Sequence, residues 1–334
     1  MSSRDKNPES ISSVRPQVSL IIPAYNEDGN LLTLYSRLAE ILSSLDAMWE
    51  VIFVDDGSTD NTWNQILSLH EDNKSVKGIR LSRNFGHQYA LLAGLSHSVG
   101  DAVISMDADL QHPPDLIPQL ISEWEKGNMI VNTIRIDSDD LSLFKKIASR
   151  VFYKLFGLLS GVRIESGMAD FRLLDRKIVD NILQFREESF FLRGLIQWVG
   201  YKNSTIKYKS LNRQSGSSKY TLKKMFRFAL DGITSFSIIP LRVGIFLGLI
   251  TAAISFMAIF YAIYAKLFTN SAVPGWASTL AILSFLQGIL FILLGLIGDY
   301  IGRILLEVKK RPRFLIATKL GIDSVTTNII DRSD

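Results

Sequence analysis

The first 134 residues alternate between short apolar runs and longer segments in which apolar side chains recur every three to four positions. Short runs are typical of buried strands, whereas the second spacing is typical of helices that pack by one face. The runs predict five strands, over residues 18–22, 50–54, 78–81, 102–106 and 129–134. The helical spacing predicts helices over 28–45, from Thr59 or Asp60 to Leu69, and over 88–99 and 115–126.

Strands and helices that alternate in this way predict an α/β fold with a mostly parallel sheet and helices on both faces. Such a sheet binds ligands beyond the carboxyl ends of its strands. Polar clusters follow four of the predicted strands, at residues 23–27, 55–58, 82–84 and 107–109. Four clusters at one edge favour a binding rim over four unrelated solvated turns.

The central stretch of the chain runs from Val103 to Pro114 and carries two carboxylates one residue apart. Strand alternation would put Asp107 and Asp109 on the same side, where both can hold one hard cation through oxygen. A Mg²⁺ or Mn²⁺ ion held by few protein ligands keeps coordination sites for water and substrate phosphates. For these two residues taken alone, a solvated Asp-rich turn is the alternative.

Composition removes several classes of function. The chain has 334 residues, no cysteine and a net charge of +4 at pH 7. The absence of cysteine excludes disulfides, zinc–thiolate sites and thiol chemistry, and the small positive excess does not indicate a nucleic-acid partner. The sequence has no Gly-x-Gly-x-x-Gly after the first predicted strand and no Gly-Lys-Ser/Thr loop. It therefore supports neither a Rossmann dinucleotide site nor a P-loop ATPase.

Two apolar stretches, at 241–265 and 277–301, are each longer than the ~20 residues that a helix needs to cross a bilayer. They predict two transmembrane helices, with two buried helices of a soluble protein as the alternative. Lys266 is the single cation of the loop between them, whereas the outer flanks carry many Lys and Arg residues. The positive-inside rule predicts that both termini and the soluble domain are cytoplasmic, at an inner or plasma membrane.

Two further segments have apolar and basic faces at helical spacing. Residues 221–239 predict an interfacial helix that leads into the bilayer, and residues 141–159 predict either a core-facing helix or a second helix at the membrane surface. The remaining predicted parts are a flexible tail at 1–16, a soluble domain at 17–220 and a C-terminal tail at 302–334. In that tail, residues 313–317 resemble a strand and are a candidate for pairing with another subunit.

Six motifs resemble those of a known family. They are SLIIPAYNE (19–27), VDDGSTDNT (54–62), SRNFGHQ (82–88), MDADLQHPP (106–114), SGMADFR (166–172) and RQSGSSKY (213–220). In this order they are similar to the motif series of family-2, GT-A-fold glycosyltransferases, over roughly residues 17–310. The last two resemble the polyisoprenyl-phosphate branch, which includes dolichyl-phosphate mannose synthases and bactoprenol glucosyltransferases. Gln214 departs from the family pattern, which has an aromatic residue there.

The resemblance implies a set of site residues. The ligands of a divalent metal, Mg²⁺ or Mn²⁺, would be Asp107, Asp109 and Gln111. The nucleotide sugar would be held by Pro23, Tyr25, Glu27, Asp56, Asp107 and Ala108. The acceptor phosphate would be held by Arg135, Arg150 and Ser218. The residues implied in catalysis are Asp109, Asp170, Arg213 and Lys219, the last two on a mobile loop at 210–220 that closes on the phosphates.

The sequence does not assign a single role to Asp170, and it assigns no role in the site to His87 or His112. Asp170 is either the partner of Arg172 in a local ion pair or, from the resemblance, a hydrogen-bond acceptor or base at the sugar or acceptor. His87 and His112 stand beside motifs without a histidine, aspartate or serine partner at a useful spacing. They are interpreted as bystanders.

The resemblance implies an inverting transfer of a hexose, with glucose from UDP-glucose preferred, to undecaprenyl phosphate or another polyprenyl phosphate. The product would be a lipid-linked sugar, and no strong base is needed because the attacking phosphate is already negative. The resemblance also implies contact with membrane lipid and a homo-oligomer, for which a tetramer is one candidate. The alternatives are GDP-mannose or another donor, and a non-catalytic membrane scaffold of the same fold. A phosphotransferase and a processive synthase would each need motifs that this sequence lacks.

The first testable prediction concerns Arg213. Arg213→Ala is expected to reduce turnover far more than nucleotide affinity, because a guanidinium can hold phosphate oxygens bidentately as charge develops on the leaving diphosphate. Steady-state kinetics and direct nucleotide binding separate the two effects. A large loss of nucleotide affinity with normal turnover would contradict this role.

Overall fold

A computed structural model describes residues 17–136, 167–185, 187, 191–209, 239–268 and 275–322. Its strands are β1 (Gln17–Ala24), β2 (Met48–Asp55), β3 (Val76–Leu81), β4 (Ala102–Ser105), β5 (Ile130–Ile136), β6 (Met168–Asp175), β7 (Asn203–Lys209) and β8 (Ile316–Leu320). Its α-helices are α1 (Leu31–Ser44), α2 (Thr62–Asp72), α3 (His87–His97), α4 (Ile117–Glu125), α5 (Arg176–Gln184), α6 (Leu192–Trp198), α7 (Ile239–Phe268) and α8 (Trp276–Lys309).

The eight strands form one sheet in the order β7-β5-β6-β4-β1-β2-β3-β8. Strands β4, β1, β2 and β3 are parallel neighbours at its centre. Strand β6 runs antiparallel to both β4 and β5, β7 is parallel to β5, and β8 is antiparallel to β3. Only β6 and β8 of these described strands run against the others, so the predicted α/β fold with a mostly parallel sheet is confirmed.

Helices cover both faces of the sheet, which explains why the central strands are apolar at nearly every position. Leu20 and Ile22 of β1 belong to the core cluster under α1, α2 and α4, whereas Ile21 belongs to the cluster under α3, α5 and α6. Alternate residues of one strand therefore fill two cores.

The predicted elements of the first 134 residues are all present, with ends shifted by a few positions. Helix α2 begins at Thr62 rather than directly after Thr59 or Asp60, although the Asp60 carboxylate accepts a hydrogen bond from the Thr62 amide at 3.0 Å. A 3₁₀ turn at Pro114–Leu116 precedes α4. Strand β5 does not lie beside β4, because β6 separates the two.

The C-terminal strand corrects one expectation. The strand predicted at 313–317 spans Ile316–Leu320 and pairs with β3 of the same chain, whereas pairing with another subunit stays a prediction. The Ser82 amide also donates to the Leu315 carbonyl at 2.8 Å. The chain thus returns from its apolar helices to the edge of the sheet.

Helices α7 and α8 contain the two apolar stretches predicted from the sequence. They touch near Gly244, where an added Cβ would lie 2.6 Å from Leu293 Cδ2. Among the described residues, one segment, Phe285–Lys309, is long and apolar enough to cross a membrane, with a mean hydropathy of 2.1 and none of it buried. The prediction of two spans is therefore not confirmed. Residues 141–159 and 221–238 lie outside the described residues.

The packing of α3 on the sheet yields a stability prediction. A Cβ on Gly94 would lie 2.3 Å from Ile21 Cγ2, so Gly94→Ala must push α3 away from β1. Overpacking of this kind costs roughly 1–3 kcal/mol. We expect a lower thermal midpoint in detergent for Gly94→Ala and little change for Gly29→Ala, since nothing lies within 4 Å of a Cβ on Gly29. Equal midpoints for the two variants would contradict the close packing.

Candidate active site

The polar clusters predicted from the sequence do meet at one edge of the sheet. β1 and β2 end side by side, with Ala24 opposite Asp55, and the Asp56 amide donates to the Ala24 carbonyl. β4 ends beside β1, where the Met106 amide donates to the Ile21 carbonyl. The antiparallel β6 brings its first residues to the same edge, and the Ser105 hydroxyl donates to the Asp170 carbonyl at 2.5 Å. This edge is called the rim below.

Asp107 lies at the centre of the rim between two histidines. Its Oδ2 is 3.0 Å from His112 Nε2, and its Oδ1 is 3.5 Å from His87 Nε2. Burial raises the pKa of Asp107, but the hydrogen bond from His112 and the charges of both histidines outweigh it and hold that pKa below its ordinary value. Asp107 is therefore a carboxylate.

Asp109 lies on a tight turn. Leu110 adopts the left-handed conformation, with φ of 60°, which costs a residue with a bulky side chain roughly 1–3 kcal/mol. The turn folds Gln111 back, so that its amide and side-chain nitrogens both donate to the Asp109 carboxylate. Arg135 Nη1 in turn donates to Gln111 Oε1 at 3.0 Å.

The predicted roles of these residues as metal or phosphate ligands remain predictions, and the geometry sets conditions on them. Gln111 Oε1 already accepts from Arg135, so a cation at this oxygen would use its second lone pair and lie close to the Arg135 guanidinium. No group of three or more His, Cys, Asp or Glu side chains in the described ranges is arranged to hold a metal.

Two observations nevertheless fit a hard cation at this place. Asp107 Oδ1 is buried and accepts no hydrogen bond from any described residue. Burial raises the pKa of Glu27 above its ordinary value, against a hydrogen bond from Asn30, and the negative charges of Asp109 and Asp107 raise it further. Carboxylate oxygens that repel one another are stabilised by a divalent cation, and oxygen is the donor that Mg²⁺ and Mn²⁺ prefer.

Asp170 forms a buried ion-pair cluster near the start of β6. It is 3% exposed, and its oxygens accept from Arg172 Nη2 at 2.9 Å and from Arg193 Nε and Nη2 at 2.8 and 2.7 Å. Burial alone would raise the pKa of Asp170, yet Arg193, His87 and Arg172 hold it well below its ordinary value. The local pair with Arg172 is confirmed, and a carboxylate with so low a pKa is a poor base.

The interpretation of His87 and His112 as bystanders is wrong. His87 Nε2 lies 3.2 Å from Asp170 Oδ2 as well as 3.5 Å from Asp107 Oδ1, so the ring bridges the two carboxylates. Burial lowers the pKa of His87, but the hydrogen bond to Asp170 and the charge of Asp107 raise it above its ordinary value. Sequence spacing misses these contacts because the partners of His87 are 20 and 83 positions away.

Asp56 supports the loop that follows β3. Its two oxygens accept from the amides of Phe85 and Gly86 at 2.7 and 2.9 Å, and the residue is 3% exposed. Burial raises the pKa of Asp56, although these two amides oppose the shift. Gly57 has φ of +71°, and a Cβ there would lie 2.4 Å from the Arg83 carbonyl carbon. The loops after β2 and β3 are therefore in backbone contact.

The other predicted site residues divide by their placement. Pro23 is buried within β1, and Ala108 is 3% exposed beneath the rim. Tyr25 is 46% exposed at the rim, where its ring is open to a ligand. The predicted residues that lie outside the described ranges are Arg150, Arg213, Ser218 and Lys219. Arg193 is a residue of the site that sequence reasoning missed, since no motif contains it.

The fold and the rim together define the class of protein. An α/β sheet of this topology, with carboxylates at the carboxyl ends of its central strands, is the GT-A fold of glycosyltransferases.

Residues 19–183 match the family described as Glycosyl transferase family 2. An uncharacterized glycosyltransferase of Bacillus subtilis (strain 168) is 39% identical over 92% of this chain and 95% of its own length. A bactoprenol glucosyl transferase of Shigella phage SfX is 38% identical over 91% of this chain and 99% of its own length. Mannosyl-3-phosphoglycerate synthase from Rubrobacter xylanophilus superposes with a TM-score of 0.46 and 16% identity, over 66% of this chain and 72% of that one.

The chain belongs to glycosyl transferase family 2. The resemblance found in the sequence motifs and the prediction that the chain is a glycosyltransferase are confirmed.

The buried cluster yields a second stability prediction. Asp170→Asn leaves the charge of Arg172, which is 1% exposed, without its counter-ion, and breaking a buried pair costs about 3–5 kcal/mol. The thermal midpoint in detergent is expected to fall by roughly 6–20 °C. Asp180→Asn is the matched control, because Asp180 is 56% exposed and lies 3.7 Å from Arg176. A surface ion pair of this kind contributes roughly 0–1 kcal/mol to the free energy of unfolding. Similar losses in both variants would contradict the role of burial.

Proposed function

We propose that the protein transfers glucose from UDP-glucose to undecaprenyl phosphate, with inversion at the anomeric carbon, to give a lipid-linked sugar. The observation that carries this proposal is the combination of a carboxylate rim on a GT-A sheet with an apolar helix at Phe285–Lys309 in one chain. The bactoprenol glucosyl transferases of Shigella phages, 38% identical over 90–91% of this chain, support glucose as the sugar and a polyprenyl phosphate as the acceptor.

The chemistry needs two anions to meet. An oxygen of the acceptor phosphate forms a bond to the anomeric carbon while the bond from that carbon to the nucleoside diphosphate breaks. A Mg²⁺ or Mn²⁺ ion bound at Asp107 and Asp109 would neutralise charge on the leaving diphosphate. The proposed roles of Arg213 and Lys219 are to stabilise the same charge, and those of Arg135, Arg150 and Ser218 are to hold the acceptor phosphate.

The state of Asp170 agrees with this mechanism. The attacking phosphate oxygen already carries negative charge near neutral pH, so transfer does not require a strong base. Asp170 is bonded by Arg172, Arg193 and His87 and has a lowered pKa, which suits a residue that positions its neighbours. We therefore assign Asp170 to positioning of the rim rather than to proton transfer.

The nucleotide is proposed to lie over the ends of β1 and β2. Tyr25 presents an exposed ring there, and Glu27 and Asp56 follow the ends of the same two strands in the sequence. Asp56 would act on the nucleotide through the loop that it supports, since both of its oxygens accept from backbone amides.

The proposed membrane arrangement has two spans, α7 and α8, with both termini and the catalytic domain in the cytoplasm of a cell whose inner or plasma membrane holds the lipid. The single cation of the loop between the helices and the basic flanks on the other side support this orientation. It also gives the rim access to cytosolic nucleotide sugars. Assembly as a homo-oligomer, including a tetramer, is part of the proposal.

The decisive experiment measures transfer of labelled sugar from a panel of nucleotide sugars to undecaprenyl phosphate, with Mg²⁺ or Mn²⁺ and with a chelator. We expect metal-dependent product from UDP-glucose. We also expect that Asp109→Asn abolishes transfer without unfolding the protein, because it removes a proposed metal ligand.

Asp115→Asn is the matched control for that variant. Asp115 is an exposed acid in the turn that follows the same motif, and its loss should leave turnover unchanged. Retained turnover in Asp109→Asn would contradict the metal assignment. Product only from GDP-mannose would change the donor, and no lipid product from any donor would favour the scaffold alternative.

A further inference from the structure

A buried histidine connects the rim to the outermost strand of the sheet. His112 is 7% exposed, and its Nε2 lies 3.0 Å from Asp107 Oδ2. Its Nδ1 lies 2.7 Å from the hydroxyl oxygen of Tyr208, which is near the end of β7. Two strands, β5 and β6, lie between β7 and β4 in the sheet, so the contacts of His112 reach across half of its eight strands.

Aromatic packing fixes the plane of the imidazole. The rings of Phe171 and His112 have centroids 5.4 Å apart, and those of His112 and Tyr208 are 5.9 Å apart in an edge-on arrangement. Phe171 and Tyr208 are themselves 6.4 Å apart and nearly perpendicular. Three buried rings in mutual contact leave the imidazole little freedom to turn.

The contact with Asp107 determines that His112 Nε2 carries a proton. Burial raises the pKa of Tyr208 to about 12, so its hydroxyl stays protonated at neutral pH. A carboxylate can only accept, so His112 Nε2 carries a proton and donates to Asp107 Oδ2. The Tyr208 hydroxyl and the Asp107 carboxylate therefore contact opposite nitrogens of one imidazole ring.

We propose that His112 and Tyr208 are positioning residues for divalent-cation binding, because they hold Asp107 Oδ2 and leave Oδ1 as the oxygen for the cation. Asp107 Oδ1 is buried and accepts no hydrogen bond from any described residue, although His87 Nε2 lies 3.5 Å from it. This inference rests on the proposed function, which places the cation at Asp107. Partners that orient a metal ligand through one of its atoms contribute about 10–100-fold to metal affinity.

The contrast with another buried histidine separates this arrangement from ordinary core packing. His97 is 6% exposed, and its Nδ1 contacts the Ala93 carbonyl of its own helix at 2.8 Å. That contact lies within α3 and involves no carboxylate of the rim. His112 instead joins Asp107 of the rim, five positions before it, to Tyr208, 96 positions after it.

The test measures binding of Mn²⁺ to the full-length protein in detergent, in the presence of UDP, by the electron paramagnetic resonance signal of free Mn²⁺. We expect about 10–100-fold weaker binding for His112→Leu and a smaller loss for Tyr208→Phe. His112→Gln should bind more tightly than His112→Leu, because its side-chain amide can still donate to Asp107.

Two matched controls remove a similar group elsewhere. His97→Leu removes a buried histidine, and Tyr35→Phe removes a hydroxyl on α1 that accepts from Asn73 Nδ2 at 3.1 Å. Both should bind Mn²⁺ like the parent protein. Raising the Mn²⁺ concentration should restore turnover in Tyr208→Phe and His112→Gln, which a general loss of structure would not allow.

The outcomes distinguish this inference from the proposed function. If the parent protein binds Mn²⁺ and Tyr208→Phe and His112→Leu bind it within twofold of the parent, the positioning role is wrong and the metal assignment stands. If the parent protein binds no Mn²⁺ in the presence of UDP, the proposed function fails and this inference falls with it. The thermal midpoint of each variant identifies any variant that unfolds. If His112→Leu unfolds, Mn²⁺ binding by Tyr208→Phe tests the positioning role, because that variant loses only one oxygen atom.

Discussion

The buried charge of Asp170 is the constraint on which the geometry of the rim depends. Taking a carboxylate and a guanidinium out of water costs several kcal/mol for each ion, and only close, well-directed partners offset that cost. Asp170 obtains them from Arg172 on its own strand, from Arg193 on α6 and from His87 at the start of α3. One carboxylate therefore holds together three elements that the chain order leaves far apart, and His87 extends the same network to Asp107.

The acidic residues of the rim fall into two groups according to what occupies their oxygens. Both carboxylate oxygens of Asp170 accept hydrogen bonds from guanidinium groups, and both oxygens of Asp56 accept from backbone amides. Asp107 has one oxygen hydrogen-bonded by His112 and the other at 3.5 Å from His87, and the negative charges of Asp107 and Asp109 raise the pKa of Glu27. The first group shapes the rim, and the second leaves unbalanced negative charge where a cation would stabilise it. This division explains why neighbouring carboxylates of one motif series have different roles.

The sequence predicts the parallel half of the fold well because local periodicity specifies it. Each buried strand and its covering helix are adjacent in sequence, so β1 to β4 and their polar ends follow from pattern alone. The insertion of β6 between β4 and β5 does not follow, since no local signal distinguishes that order from direct pairing. The contacts within the site cannot be predicted from local patterns for the same reason. Asp107 and Asp109 are recognisable as a motif, whereas Arg193 and Tyr208 reach the site only through the fold.

The pairing of β8 with β3 has a consequence for biosynthesis. Leu81 and Ile316, which are paired in the sheet, are separated by 235 positions in the sequence, as 316 − 81 gives. At a translation rate of about 5–20 residues per second, roughly 12–47 s pass between the synthesis of β3 and that of β8. During this time the edge of the nascent sheet exposes unpaired backbone groups, which is a condition that favours aggregation. Helices α7 and α8 are synthesised within that interval, so β8 covers the edge of β3 only after both helices have left the ribosome.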